Sequence, residues 1–172
     1  MKYLEKFAEG QTVCFTVHRP NRLPQTTEKI LEMESKLSNA IENAIWRGKI
    51  NFVSGSMSGF DILAAERVLL LKKTYLQIRC VLIAPFSVRF YSGRNWTAEW
   101  EKRSLTVAKY SDFGISLSEH YYKGIYYERD RFIVDMSSEV IAYYDGGAGG
   151  TKYTIDYAAK QGRPVCNIIE LS

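Results

Sequence analysis

Ile50-Asn51-Phe52-Val53-Ser54-Gly55-Ser56-Met57-Ser58-Gly59-Phe60-Asp61 decides how the chain is read. The first five residues have the character of a strand, and Gly55 to Gly59 then supply a turn of small residues. From Asp61 to Lys73 the apolar residues Ile62, Ala65, Val68 and Leu69 fall at helical spacing. A strand that runs through a glycine turn directly into a helix is the first part of a βαβ unit.

The same pattern extends in both directions. Upstream, Thr12 to Thr16 reads as a strand bounded by Arg19-Pro20 and Pro24. Thr26 suits an N-cap, and Ile30, Met33, Leu37, Ile41 and Ile45 mark one face of a helix running to Trp46, closed by Gly48. Downstream, Ile78 to Ala84 is a continuous apolar run of the kind found in a parallel strand buried on both faces, and Pro85 ends it. A helix is expected from Thr97 to Lys109, a strand from Asp112 to Ser116, and a helix ending near Met136. Val140 to Tyr144 reads as a strand, Thr151 to Gln161 as a helix stopped by Gly162, and Val165 to Ile169 as a last strand. Repeated strand–helix alternation predicts a mostly parallel sheet with right-handed crossovers and helices on both faces. The expected fold is therefore α/β, a Rossmann-like three-layer α/β/α sandwich forming one domain over residues 1–172. The stretch from Phe86 to Trp96 is the least regular and is expected to form a flexible loop near the ligand.

Composition sets outer bounds. The chain has 172 residues, 46% apolar and 24% charged, which is ordinary for a globular protein. Its longest apolar run, Val68 to Leu71, is stopped by Lys72-Lys73, far short of a membrane span. The N-terminus lacks the apolar core of a signal peptide, and a cytoplasmic location without membrane contact is expected. Cys14, Cys80 and Cys166 lie apart in apolar, strand-like runs and read as reduced, buried side chains. With only His18 and His120 to join them, no metal site is expected. A net charge of +4 suits an anionic ligand, yet the basic residues are scattered among acids and form no nucleic-acid stripe.

Open α/β sheets bind ligands at the carboxyl ends of their strands, and four such ends carry notable residues. The first bears Thr16, His18 and Arg19. The second has Gly55, Ser56 and Gly59 leading to Asp61, with backbone N–H groups converging at a helix start, where a phosphate is favoured. The third is Pro85-Phe86. The fourth is Asp145-Gly146-Gly147-Ala148-Gly149-Gly150-Thr151, a second glycine-rich strand-to-helix turn. Neither loop fits the dinucleotide fingerprint or the P-loop pattern. A turn alone explains one glycine, but two such loops on one sheet are harder to dismiss. Arg129 and Arg131, two apart on a helix, face different ways. One is expected to reach the site, taken as Arg129, while the other makes a surface ion pair with Glu128 or Asp130. His18 lacks a nucleophile partner and is assigned to orienting a ligand or to structure. Tyr121, Tyr122, Tyr126 and Tyr127 read equally as core packing and as a surface for stacking on a base.

Taken together these residues resemble the YpsA-like branch of the SLOG superfamily. The matching set is Cys14-Phe15-Thr16 with His18-Arg19-Pro20, Ser54-Gly55 with Gly59-x-Asp61, Ala64-Ala65-Glu66, Pro85-Phe86, Arg129-x-Arg131 with Val134-Asp135, and Tyr144-Asp145-Gly146 with Gly149-Gly150-Thr151. The resemblance implies a Rossmann-like fold related to the DNA-processing protein DprA and to LOG-type phosphoribohydrolases. It also implies a pocket for a nucleotide or an ADP-ribose-like molecule, with sensing or regulatory roles in bacteria, and a homodimer paired through a helical face. Two positions depart from the family: Val17 replaces a glycine, and Asp130 replaces an asparagine between the arginines. A carboxylate at Asp130 would repel a phosphate unless paired with an arginine. LOG-type enzymes carry a glutamate three residues after the threonine of the second loop, where this chain has Thr154. A hydroxyl cannot replace that carboxylate as acid or base, so no catalytic residue is assigned. The expectation is a binding protein for a small phosphate-bearing ligand, with no other cofactor. The rivals are an N-glycosidase using Asp61, Asp145 or Glu66, and a single-stranded DNA binder using Arg89, Tyr91, Arg94 and Trp96.

Overall fold

Short apolar runs become strands in the computed structural model, which describes residues 5–16 and 18–170. The strands are β1 (Thr12–Thr16), β2 (Asn51–Ser54), β3 (Arg79–Phe86), β4 (Phe113–Ser118), β5 (Glu139–Ala142) and β6 (Val165–Asn167). The helices are α1 (Thr27–Trp46), α2 (Phe60–Leu71), α3 (Ala98–Tyr110), α4 (Ile125–Asp135) and α5 (Gly150–Lys160). The strand order is β4-β3-β2-β1-β5-β6, and every neighbouring pair is parallel. The sheet is thus wholly parallel, and the fold is Rossmann-like α/β.

Strand alternation distributes the core. Val13, Phe15, Phe52, Cys80, Leu82 and Ile141 pack in one buried cluster with Leu37 and Ile41 of α1 and Ile62 and Val68 of α2. Their neighbours Cys14, Val53, Val81, Ile83 and Val140 point the other way, onto Ile133 and Val134 of α4 and Ala158 of α5. Successive strand residues face opposite sides, so both faces need an apolar cover, and β1 to β3 are buried along almost their whole length. Stepping from β1 to β4 in one direction keeps α1, α2 and α3 in one layer. The chain then crosses back to place β5 beside β1, which puts α4 and α5 in the other.

Most departures from the sequence reading are small and have local causes. The last strand ends at Asn167, and residues Ile168–Glu170 form a 3-10 turn instead of continuing it. There the Asn167 amide takes both main-chain groups of Tyr144, donating to its carbonyl and accepting from its N–H. Pro85 sits within β3, past the point where β2 ends at the Ser54–Leu82 pair, so its missing N–H costs no ladder bond on that side. The stretch expected to be a flexible loop is packed instead. Tyr91 is buried edge-on against Phe86 and Trp96, each with ring centroids 4.9 Å away. No helix among the described residues is long and apolar enough to cross a membrane. Burial pushes the thiols of Cys14 and Cys80 up to about 12.

Candidate functional site

The sheet changes direction between β1 and β5. The chain leaves β1 toward one layer of helices and β5 toward the other, so the loops diverge and a crevice opens between them. A cavity of about 90 Å³ lies there, lined by Thr16, His18, Arg19, Ser58, Asp61, Arg129, Asp130 and Gly150, among others. A second cavity of about 310 Å³ adjoins it, sharing Arg19, Met57, Ser58 and Tyr126.

Arg129 projects from α4 and is only 7% exposed. Its Nη1 donates to Asp61 Oδ2 at 3.2 Å, and its Nε lies 3.0 Å from Asp130 Oδ1. That Nε–H is not aligned for a hydrogen bond and has no other partner among the described residues. Gly55 makes room for the guanidinium, because a Cβ at this position would overlap it. Asp61, in the first turn of α2, also accepts from the Met57 N–H at 3.1 Å, while Ser54 Oγ donates to its carbonyl at 2.7 Å. Burial raises the Asp130 pKa above the ordinary carboxylate value, against the opposing pull of the Arg129 charge.

His18, 4% exposed, holds the second glycine loop. Its Nδ1 is 3.2 Å from the Thr151 hydroxyl and its Nε2 is 3.1 Å from Asp145 Oδ1. The Asp145 N–H also points at Nε2 from 3.5 Å, so Asp145 and Thr151 hold the ring at both nitrogens. Asp145 further accepts from Gly147 N at 3.0 Å and from Arg22 Nη2 at 2.6 Å, and Arg22 Nη1 donates to the Ala148 carbonyl at 3.1 Å. The Gly147 hydrogen bond, with the nearby His18 and Arg22, lowers the Asp145 pKa. Burial, then the Arg22 charge, lowers that of His18 despite Asp145. Gly149 caps α5 at φ 138°, a conformation that L side chains rarely adopt, and no side chain bonds the helix N-terminus. Gly59 caps α2 in the same way at φ 96°, where a Cβ would come within 2.9 Å of the His18 carbonyl.

Of the residues read from the sequence, Thr16, His18, Arg19, Asp61, Arg129 and Gly150 line the crevice. Gly55, Gly59, Asp145, Gly149 and Thr151 shape it from behind. Gly146 turns the loop at φ 93°. Ser56 belongs elsewhere: held at φ 63°, it lines a different cavity between α3 and the β3–β4 edge. Pro85 is buried in β3, and its neighbour Phe86 reaches the larger cavity. Arg131 pairs with neither Glu128 nor Asp130 and donates instead to Tyr153 Oη at 2.7 Å; the Arg129–Asp130 pair is buried. Glu66 accepts two bonds from Arg103 in the α2–α3 layer, away from the crevice. Thr154 is buried and donates to the Gly150 carbonyl at 2.9 Å. Val17 lies outside the described residues. Sequence reasoning missed Met57, Ser58 and Arg22. Only the placement of Arg22 two residues after Pro20, at the tip of β1, pointed toward it. Among the described residues no group of three or more His, Cys, Asp or Glu could hold a metal ion.

Fold and crevice together define a Rossmann-like α/β protein with glycine-capped helices at the switch point of a parallel sheet. The chain belongs to the YspA SLOG family (YpsA), whose sequence model matches residues 13–168. It is similar to the uncharacterized SPbeta prophage-derived protein YoqJ of Bacillus subtilis (strain 168), 30% identical over 145 residues, covering 76% of this chain and 82% of that protein. It is also similar to the UPF0398 protein BBR47_29830 of Brevibacillus brevis, 30% identical over 112 residues, 63% of this chain and 57% of that one. Among solved structures it shares its fold with DNA processing protein A of Helicobacter pylori, studied for its single-stranded DNA binding mode. The TM-score is 0.63 at 20% identity, over 96% of this chain and 66% of that one. DNA processing protein A of Streptococcus pneumoniae gives 0.60 at 18% identity, over 94% of this chain but half of that one. TM1055 gives 0.56 at 15%, over 90% and 72%.

Two outcomes follow from this geometry. Gly55→Ala is expected to force the Arg129 guanidinium aside and to lower stability by about 1–3 kcal/mol in urea denaturation, as expected of overpacking; an unchanged midpoint would mean that Arg129 does not pass over Gly55. Because folding lowers the His18 pKa, the unfolded chain takes up the proton first as pH falls below about 6.5, so the stability contributed by neutral His18 is present above that pH and lost below it. His18→Gln should flatten the fall in stability between about pH 7 and pH 5, and identical slopes in the two proteins would refute a buried neutral His18.

Proposed function

We propose that the chain binds a small phosphate-bearing, nucleotide-like ligand in the switch-point crevice, and does so in a sensing or regulatory capacity. The carrying observation is the crevice at the strand ends, lined by the Arg129 guanidinium, His18 and Arg19 and bordered by the N-termini of α2 and α5, which start from glycines with no side-chain cap.

Charge distribution favours one orientation. Asp61 and Asp130 both lie beside Arg129, so a phosphate placed there meets two carboxylates for one guanidinium. The N-terminus of α5 suits an anion better. Gly149 leaves its N–H groups without a side-chain cap, and Arg22, from the turn after β1, brings a guanidinium against the loop that leads into it, where it donates to Asp145 and the Ala148 carbonyl. The carboxylates are then free to accept hydrogen bonds from sugar hydroxyls. A free thiol set with Cys14 and Cys80 fully buried suits a cytoplasmic setting.

Binding without LOG-type hydrolysis is supported by Thr154, whose hydroxyl is turned back onto the Gly150 carbonyl. A single-stranded DNA reading draws on the Helicobacter pylori protein, but the residues that would form its track are engaged otherwise. Tyr91 and Trp96 pack against each other and line the larger cavity, while Arg89 pairs with Glu119.

A thermal-shift series with AMP, ADP, ATP, NAD and ADP-ribose tests the proposal. A ligand at about a hundred times its Kd adds about 2.7 kcal/mol to the native state and should raise Tm by a few degrees. Arg22→Gln, at a half-buried side chain outside the core, should reduce that shift without lowering the unliganded Tm by more than a degree or so. No shift with any of the five at about 10 mM would overturn the reading.

A further inference from the structure

The 310 Å³ cavity beside the crevice is built differently from the rest of the molecule. Met57, Phe86, Tyr91 and Ile125 form a third buried cluster, separate from the two that glue helices to the sheet. Its aromatic members meet at steep angles: Phe86 lies 69° from Tyr91, 77° from Tyr121 and 68° from Tyr126, and Tyr91 lies 80° from Trp96. Rings set this way offer both faces and edges to a guest, and Tyr121 stays 59% exposed on the wall. Packing the sheet needs no such cluster beyond the strand ends.

Two polar features make the chamber selective. Tyr91 is 9% exposed, and its Oη has no hydrogen-bond partner among the described residues. A buried hydroxyl left this way is destabilising unless a ligand supplies the partner. Asn95 stands on the same wall with Ser92, and an amide side chain carries a donor and an acceptor side by side. That pairing complements the adjacent donor and acceptor on the hydrogen-bonding edge of a nucleobase. At the mouth, where the two cavities share Arg19, its guanidinium lies 5.4 Å from the centre of the Tyr126 ring.

We infer that this aromatic chamber is a base subsite, and that the ligand is a free nucleotide whose base enters the chamber lined by Tyr91, Trp96 and Tyr126 while its sugar and phosphate occupy the crevice. The inference rests on the binding proposal above and adds the place where the base sits. A volume of about 310 Å³ is at the lower end of small-molecule sites and suits one base, not a run of stacked bases. The order along the ligand follows the order of the cavities: aromatic chamber, Arg19 at the junction, the carboxylates of Asp61 and Asp130, and the α5 N-terminus at Gly150.

Calorimetric titration of the full chain with AMP and with ribose 5-phosphate separates the two ideas. AMP should bind about tenfold tighter or more, since stacking of one base on aromatic side chains has that effect or greater. Asn95→Ala should remove most of this advantage while leaving ribose 5-phosphate affinity as it was, and Tyr91→Phe, which deletes only the orphan hydroxyl, should weaken AMP several-fold. Equal affinity for the two ligands overturns the base subsite and leaves the phosphate-binding proposal standing. AMP affinity unchanged in both variants does the same. Failure of both ligands to bind overturns the subsite together with the proposal on which it rests.

Discussion

The buried Arg129 guanidinium, lying over Gly55 between Asp61 and Asp130, is the constraint around which the strand ends are arranged. It joins α4, from one helical layer, to the first turn of α2, from the other, across the carboxyl end of β2. A charge this deep is tolerated only when paired, and removing one partner of such a pair costs about 3–5 kcal/mol. Gly55 must therefore lack a side chain, Asp61 must sit at the helix start where it also fixes Met57, and the β2–α2 loop takes one shape. On the proposed reading, two carboxylates around one arginine favour hydroxyl donors near Asp61 and Asp130, and an anion further along at α5.

Helix ends divide by what they face. Where a helix only has to begin, a threonine caps it: Thr26 accepts from Lys29 N at α1, and Thr97 from Trp100 N at α3. The helices that begin beside the two cavities start from Gly59, Gly124 and Gly149 instead, with no side-chain cap. At α2 and α5 the first N–H groups carry no side-chain partner among the described residues, whereas at α4 the Ile125 N–H donates to the Tyr122 carbonyl. His18, Arg22 and Asp145 brace the α5 loop from outside. The cavities are thus framed by backbone, with a few charged side chains placed at their edges.

Much of this was legible in the sequence because it depends on short-range patterns. The apolar run at Ile78 to Ala84, the spacing of Met33, Leu37 and Ile41, and the glycine turns after β2 and β5 mark the elements to within a few residues, and their alternation predicts the parallel sheet. Thr16, His18, Arg19, Asp61 and Gly150 reach the crevice because they sit at strand ends, a position that the sequence reveals. What stayed hidden depends on distant partners or on direction. Arg22 meets Ala148, 126 residues on, and its place two residues after Pro20 is the one local sign of it. Ser56 sits in the right loop, but its positive φ turns it to another cavity. Phe86 to Trp96 shows no periodicity, so its aromatic residues read as irregular when they are in fact the wall of a chamber.

A crystal structure of the protein soaked with AMP tests the central claim most directly. The account expects the phosphate at the α5 N-terminus beside Gly150, the ribose hydroxyls on Asp61 or Asp130, and an acceptor atom within hydrogen-bonding distance of Arg129. Ordered AMP anywhere other than the β1–β5 switch point and its adjoining chamber would contradict it.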